Sequence, residues 1–501
     1  MPKLATGLAP ADFHTTCVGC QMKRNSLRLL LLVAFASFAL ASCSHLPNST
    51  CTSGCTGGNA NLSLTILDTP PSGATFLSFN TPITAVTLTP ATGTDVNVFS
   101  PATPASFDLV RLQSDSASIG TFQVPAGTYT KMNVFVGTPS TIFANTTSSA
   151  IGSCAANTVC NLNSGAPGSI SFTFTSNLNV TASTNIGLGI DFNLNNIVTT
   201  TSGISIDFTQ PNALTIVPLP RAGQATGTLD TIEDFTGTLT NVNGSNITIT
   251  SATHGTLTGA VSSTTTYTGL LSVNNVCGGS APTASCLGTS KTVSVDATIS
   301  TAGVVSITEV DFIDDPSTDE IEGVIYPTTT ANTFGMIVSD VINASGNATL
   351  NPVGSGSQIH FTLDPSATFA VDTRNLVASI PSGFASQSDM FPGQQVMIHV
   401  KTATSGSTLN VVTDRLVLRY SRLTGTVNNV SGNEFGMQTL PPFLGTFIGT
   451  PEVQTFPGIT VFDNISDLTT LTNGDTVSFR ALYLNPNTST QAFLAAKVRK
   501  H

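Results

Sequence analysis

Val124-Pro125-Ala126-Gly127-Thr128-Tyr129-Thr130-Lys131-Met132-Asn133-Val134-Phe135-Val136 is the stretch that decides the fold. Pro125 presets φ at one turn position and Gly127 accepts a positive φ nearby, so the segment reads as a tight connection between two apolar strands. Tyr129 starts the second strand and is expected to be a core or sheet-edge packing residue. Outward from this turn, Leu62-Ser-Leu64-Thr-Ile66 and Thr84-Ala-Val86-Thr-Leu88 alternate apolar and polar residues, the period-two signature of half-buried strands. Phe107 to Leu112 is a further strand candidate. Thr and Ser are the commonest residues, Val and Asn are abundant, and the chain has 42 Gly, 27 Pro and no Trp. β-Branched residues favour pleated strands and Gly, Pro and Asn supply turns. The expected class is all-β: an N-terminal β-sandwich followed by about three tandem small β-barrel or sandwich domains.

The N-terminal part of this pattern resembles a known family. Leu64 to Pro71, Phe107 to Leu112, Val124 to Val136, Gly189-Ile-Asp-Phe-Asn-Leu194 and Pro211 to Val217 together resemble a domain of unknown function common in uncharacterised bacterial lipoproteins. Its Pro-Ala-Gly-Thr-Tyr turn is similar to that of transthyretin-like and carboxypeptidase-regulatory-like β-sandwiches. The resemblance covers roughly residues 60–218 and implies a β-sandwich, with no catalytic or binding residues to carry over. Cys154 to Gly168 departs from the pattern as a variable surface loop.

The remainder repeats. Gly323-Val-Ile to Asn332-Thr-Phe334-Gly335-Met336 matches Gly425-Thr-Val to Asn433-Glu-Phe435-Gly436-Met437, and a weaker copy starts at Gly237. Each copy has a Thr-rich strand ending in an aromatic, at Tyr267, Phe369 and Phe462, and a late strand, at Lys291 to Ile299, Gln394 to Lys401 and Thr476 to Leu484. The starts are spaced by about a small domain rather than a solenoid turn. The copies resemble a second uncharacterised extracytoplasmic repeat, which implies a small barrel akin to oligonucleotide- and oligosaccharide-binding folds; that likeness says little of function. The expected organisation is 43–61 tether, 62–218 sandwich, 219–236 linker, and repeats at 237–313, 314–422 and 423–501.

Ahead of this lies an address. Lys23-Arg24-Asn25-Ser26-Leu27-Arg28, the apolar run Leu29 to Ala41, and Leu40-Ala41-Ser42-Cys43 have the layout of a bacterial lipoprotein signal peptide. The apolar run is about a dozen residues, short for roughly 30 Å of hydrocarbon, which favours a cleaved segment over a spanning helix. Residues 1–42 then comprise an untranslated leader, with Met22 as the start, and the signal. Cys43 would carry the lipid, and the protein would sit in the bacterial cell envelope, on the periplasmic or cell-surface side. Six further cysteines form close pairs, Cys51 with Cys55, Cys154 with Cys160 and Cys277 with Cys286, read as loop disulfides of an oxidising compartment. They have no histidine set to complete a tetrahedral zinc site.

Charge narrows the partners. Only 9% of residues are charged and the net charge is −11. Without residues 1–42 the 17 bases fall to 13 and the 28 acids to 27, leaving about −14. Such a surface repels nucleic acid. Lys497-Val-Arg499-Lys500 is the only basic cluster of the mature chain and reads as a solvated tail. Neither a nucleophile elbow, a His-Glu-x-x-His motif nor a phosphate-binding glycine loop occurs in the sequence, and His360 and His399 read as strand residues. One acidic cluster, Glu309, Asp311, Asp314, Asp315, Asp319, Glu320 and Glu322, spans the first repeat junction. It reads as a solvated acidic linker, or as oxygen ligands for calcium from Asp311, Asp314, Asp315, Asp319 and Glu320; no other cofactor is expected. The functional expectation is a non-catalytic, membrane-anchored lipoprotein that scaffolds or binds an extracellular polymer or envelope protein. The alternative is an accessory or catalytic component of a carbohydrate-processing system.

Overall fold

The structure, a computed structural model, describes residues 57–500 apart from interruptions, the longest at 270–286, 373–382 and 440–451. Cys43, Cys51, Cys55, Cys277, Cys286, Asp314 and Asp315 lie outside the described residues. Its regular secondary structure is almost entirely strand. None of its helices is long and apolar enough to cross a membrane.

Two sheets face each other at the N-terminal end. One has four strands, in the order Leu214–Leu219, Asn185–Asn193, Asn59–Thr69, Ala117–Pro125. The other orders Thr158–Leu162, Ser140–Asn145, Phe76–Pro90, Gly127–Val136 and Gly168–Val180, with two short strands added on Phe76–Pro90. Alternation does the work: Leu62, Leu64 and Ile66 from the first sheet meet Phe79, Val86, Leu88, Met132 and Val134 from the second in one buried core. This is a β-sandwich whose inner faces carry the apolar half of each period-two pattern.

Tyr129 belongs to that core. It is fully buried, and its hydroxyl donates to the Pro125 carbonyl at 2.7 Å, closing the turn that precedes it. The same arrangement, a tyrosine bonding back to backbone a few residues upstream, pins corners in other sandwiches. Tyr129→Phe keeps the ring but leaves a buried carbonyl without its donor. The expected cost is about 1–3 kcal/mol in urea unfolding, with far-UV circular dichroism of the folded state unchanged.

The loop beyond Asn145 is held by a disulfide between Cys154 and Cys160, with Cα atoms 5.7 Å apart. The Asn145 amide also donates to the carbonyls of Ser149, Cys154 and Ala155. The bridge closes a short loop, so it stiffens that loop and adds little to global stability.

Three closed barrels follow in tandem. The first orders its strands Gly255–Ala260, Asn246–Ser251, Thr228–Asn243, Thr292–Ser300, Val305–Phe312, then Thr266–Gly269, and closes through a parallel contact of Ala260 with Ser306. The second has Phe334–Ile342, Glu320–Tyr326 and Gln395–His399 between Gln358–Val371 and Leu409–Leu418, which pair in parallel. The third repeats the scheme with Glu434–Thr439, Tyr420–Ser431 and Thr476–Asn487, closed by Glu452–Thr455 against Thr490–Lys500. Numbering five strands in chain order, each barrel runs 1-2-3-5-4-1, with strand 3 parallel to strand 5. The repeated aromatics occupy one place in it: Tyr267, Phe369 and Phe462 pair with Val310, Leu416 and Val498 of the final strand.

The repeated glycine also has a place. In the first barrel strand 1 pairs with strand 4 up to Thr238 and with strand 2 from Thr238; in the third the handover falls at Thr426. Gly237 and Gly425 directly precede these corners, and Gly323 lies at the bulge of the second barrel's first strand. A strand serving both sides of a small barrel must bend, and at the bend backbones approach closely.

The domains touch. Ile142 and Ala144 of the sandwich pack with Tyr326 and Ile337 of the second barrel, and Leu229 of the first barrel fills the space beside Gly187 of the sandwich. Tyr420, Leu482, Leu484, Leu494 and Ala496 of the third barrel share a core with Ile321, Val396 and Leu418 of the second.

Candidate functional site

The described acids on either side of the first junction are not solvated. Glu309, Asp311, Asp319 and Glu320 are all buried. Glu309 and Asp311 belong to the last strand of the first barrel, Glu320 and Glu322 to the first strand of the second, and strands take side chains alternately to each face.

The centre of this junction is Arg419, the single residue between the second barrel's last strand, ending at Leu418, and the third barrel's first, starting at Tyr420. It is 8% exposed. Its Nη1 lies 3.0 Å from Asp372 Oδ2 and 3.9 Å from Asp311 Oδ2, and its Nε lies 3.4 Å from Glu322 Oε2. Its backbone N–H donates to the Gln395 carbonyl. The Gln395 amide in turn donates to Glu322 Oε1 at 2.8 Å and Ser339 Oγ at 2.9 Å. A guanidinium is planar, permanently charged and weakly hydrated, which suits it to several carboxylates in a dry site.

Charge is partitioned around it. Among the described residues, the buried acids of the barrels, Asp230, Glu309, Asp311, Asp319, Glu320 and Asp372, all belong to the first two. The buried bases are Arg419 at the junction and Arg480, Lys497 and Arg499 in the third barrel. The C-terminal basic group is therefore not a solvated tail. Lys497 and Arg499 lie on the final strand, and Lys500 pairs with Asp475 at 2.7 Å. The Arg480 guanidinium also sits 4.9 Å from the Tyr420 ring centroid, a cation–π contact.

Of the five residues named for calcium, Asp314 and Asp315 lie outside the described residues, and Asp311 and Asp319 have protein partners. Asp311 faces Arg419, and Asp319 accepts from the Ser345 backbone and hydroxyl at 2.8 and 2.6 Å. Among the described residues, no three His, Cys, Asp or Glu side chains converge as a metal-ligating group. His399 Nδ1 lies 2.6 Å from Asp414 Oδ1 on the second barrel, beside a Lys401–Asp364 ion pair at 2.5 Å. Lys401 and the Ser366 hydroxyl and backbone hold the Asp364 carboxyl well below the usual carboxylate range. His360 is on a neighbouring strand, its Cα partner being Asn410.

Sequence reading missed Arg419. Its signal was present: a cation set directly between Leu418 and Tyr420, in a strand-to-strand passage with no turn residue, has to find acids if that passage is buried.

Fold and junction together define a multidomain all-β protein with one sandwich and three barrels joined by buried charge. Residues 59–215, the sandwich, match the family model described as a domain of unknown function, DUF4382. No curated protein matches the chain.

Proposed function

We propose that the protein is a non-catalytic, lipid-anchored lipoprotein of the bacterial envelope, in which the sandwich and barrels form a stiff scaffold that presents a binding surface to a polymer or partner protein. The observation that carries this reading is the Arg419 junction. A mobile array would need exposed polar linkers, whereas here one buried residue joins two barrels and carboxylates from the first two barrels enclose it. The basic, apolar and small-residue order ending at Cys43 supports the anchor. A second reading, an accessory of carbohydrate processing, draws on the His399–Asp414 pair, whose geometry suits an oriented imidazole.

The test of the anchor is the intact mass of the membrane fraction after expression in a bacterial host. The expected result is a chain beginning at residue 43 with a diacylglyceryl-plus-acyl increment, lost in Cys43→Ala. An unmodified soluble product from the wild type would remove the anchor from the proposal. Loss of Asp414→Asn binding to an envelope polysaccharide that wild type retains on pull-down would favour the second reading.

A further inference from the structure

The inward face of the strand Asn59–Thr69 carries Ala60, Leu62, Leu64, Ile66 and then Asp68. The series is apolar until its last member. Asp68 is 3% exposed, and neither of its carboxylate oxygens has a hydrogen-bond partner. Asp108 approaches from the opposite sheet, its Oδ1 accepting from the backbone N–H groups of Phe79 at 2.8 Å and Val110 at 3.2 Å. Asp191 stands on the adjacent strand and accepts from the Thr69 hydroxyl. Burial first, then the charges of Asp191 and Asp108, push the Asp68 carboxyl well above the ordinary carboxylate range.

A second observation points the same way. Thr81, paired with Phe107 next to the Asn80–Asp108 pair, is fully buried, and its hydroxyl has no partner either. The protein therefore leaves unbonded oxygen atoms on both sheets at the end of the sandwich that holds Asp108. An ionised Asp68 would be an uncompensated buried charge, and a protonated one would hold a buried O–H with no acceptor. Among the described residues neither oxygen set finds a partner, which leaves room for one from outside the chain.

From these unpartnered oxygens and the carboxylate beside them, we infer that Asp68, Asp108 and Thr81 form a binding site for a hard divalent cation of the calcium class inside the sandwich. All the donors are oxygen, which such cations prefer over nitrogen or sulfur. Two carboxylates balance a divalent charge. They and one hydroxyl supply fewer than the roughly six to eight oxygens calcium takes, and the remainder falls to water or backbone carbonyls. The site is separate from the acidic junction around Arg419 and does not depend on the envelope reading.

The test is calorimetric titration of calcium into the full chain after chelator treatment, in detergent, with thermal unfolding in calcium and in chelator alongside. Saturable binding that raises the wild-type unfolding midpoint is expected. It should be at least about tenfold weaker in Asp68→Asn and in Thr81→Val, and unchanged in Asp95→Asn, an exposed acid of the same domain. Thr81→Val removes only an unpartnered hydroxyl, so it keeps the test informative should Asp68→Asn not fold. Absence of calcium binding, or binding indifferent to both substitutions, would overturn the inference and leave Asp68 as a buried acid served by a proton and water.

Discussion

Arg419→Met is expected to lower stability by about 3–5 kcal/mol, the largest effect of any single polar change in the barrels. Methionine matches much of the arginine stem, so the loss is chiefly one of charge. Asp311, Glu322 and Asp372 would face one another in a buried site without the cation between them. Like charges at low effective dielectric repel strongly, and the carboxylates would have to take up protons to remain buried. Two readouts follow. Urea unfolding should begin at lower concentration, and the variant should regain part of its stability as pH falls through the carboxylate range, where the wild type does not gain. For comparison, Lys401→Met breaks an exposed ion pair with Asp364 and should leave the unfolding midpoint nearly unmoved. Equal sensitivity of the two variants would mean that Arg419 is not the cation on which the junction depends.

Gly323→Ala is expected to cost several kcal/mol or to prevent folding of the second barrel. An added Cβ would collide with the Ile337 carbonyl oxygen and meet the Ile337 carbonyl carbon at 2.9 Å, both backbone atoms that cannot step aside without opening the ladder. The corresponding corner of the first barrel is less severe, Gly237 having the Thr250 oxygen at 2.6 Å. Gly354→Ala serves as the control, since nothing lies within 4 Å of its added carbon. Thermal unfolding of the three variants should rank Gly323→Ala below Gly237→Ala and both below Gly354→Ala. A Gly323→Ala chain as stable as wild type would show that the first strand does not bend where its pairing indicates.

Much of this architecture was legible from short-range pattern. The period-two runs around Leu64 and Val86 and the repeated Gly, aromatic and late-strand signals depend on local geometry, which residue order encodes most directly; the tight connection after Pro125 was read rightly, but Gly127 does not take the expected positive φ and instead starts the next strand. The junction was legible only in part. The acids at 309–322 stood out against a chain with 9% charge, but density of charge does not say whether water or an arginine a hundred residues downstream will neutralise it. Burial decided that, through closure of the second barrel bringing Arg419 back beside Glu322 on its first strand. The tail was misread for the same reason: Lys497 and Arg499 carry charge at the end of the chain yet are buried on the final strand. Asp68 could have been found as the acid that completes the inward series Leu62, Leu64, Ile66. Its lack of partners could not, because that depends on the facing sheet.

The passage from Leu418 through Arg419 to Tyr420 has a mechanical consequence. Two barrels separated by one residue have no spare contour length, so tension on the chain finds no slack to take up between them. A pull transmitted through Tyr420 acts at once on the last strand of the second barrel and the first strand of the third, and extension can begin only by tearing a ladder. The second and third barrels, wired in this way, keep a fixed spacing along the chain until a ladder fails.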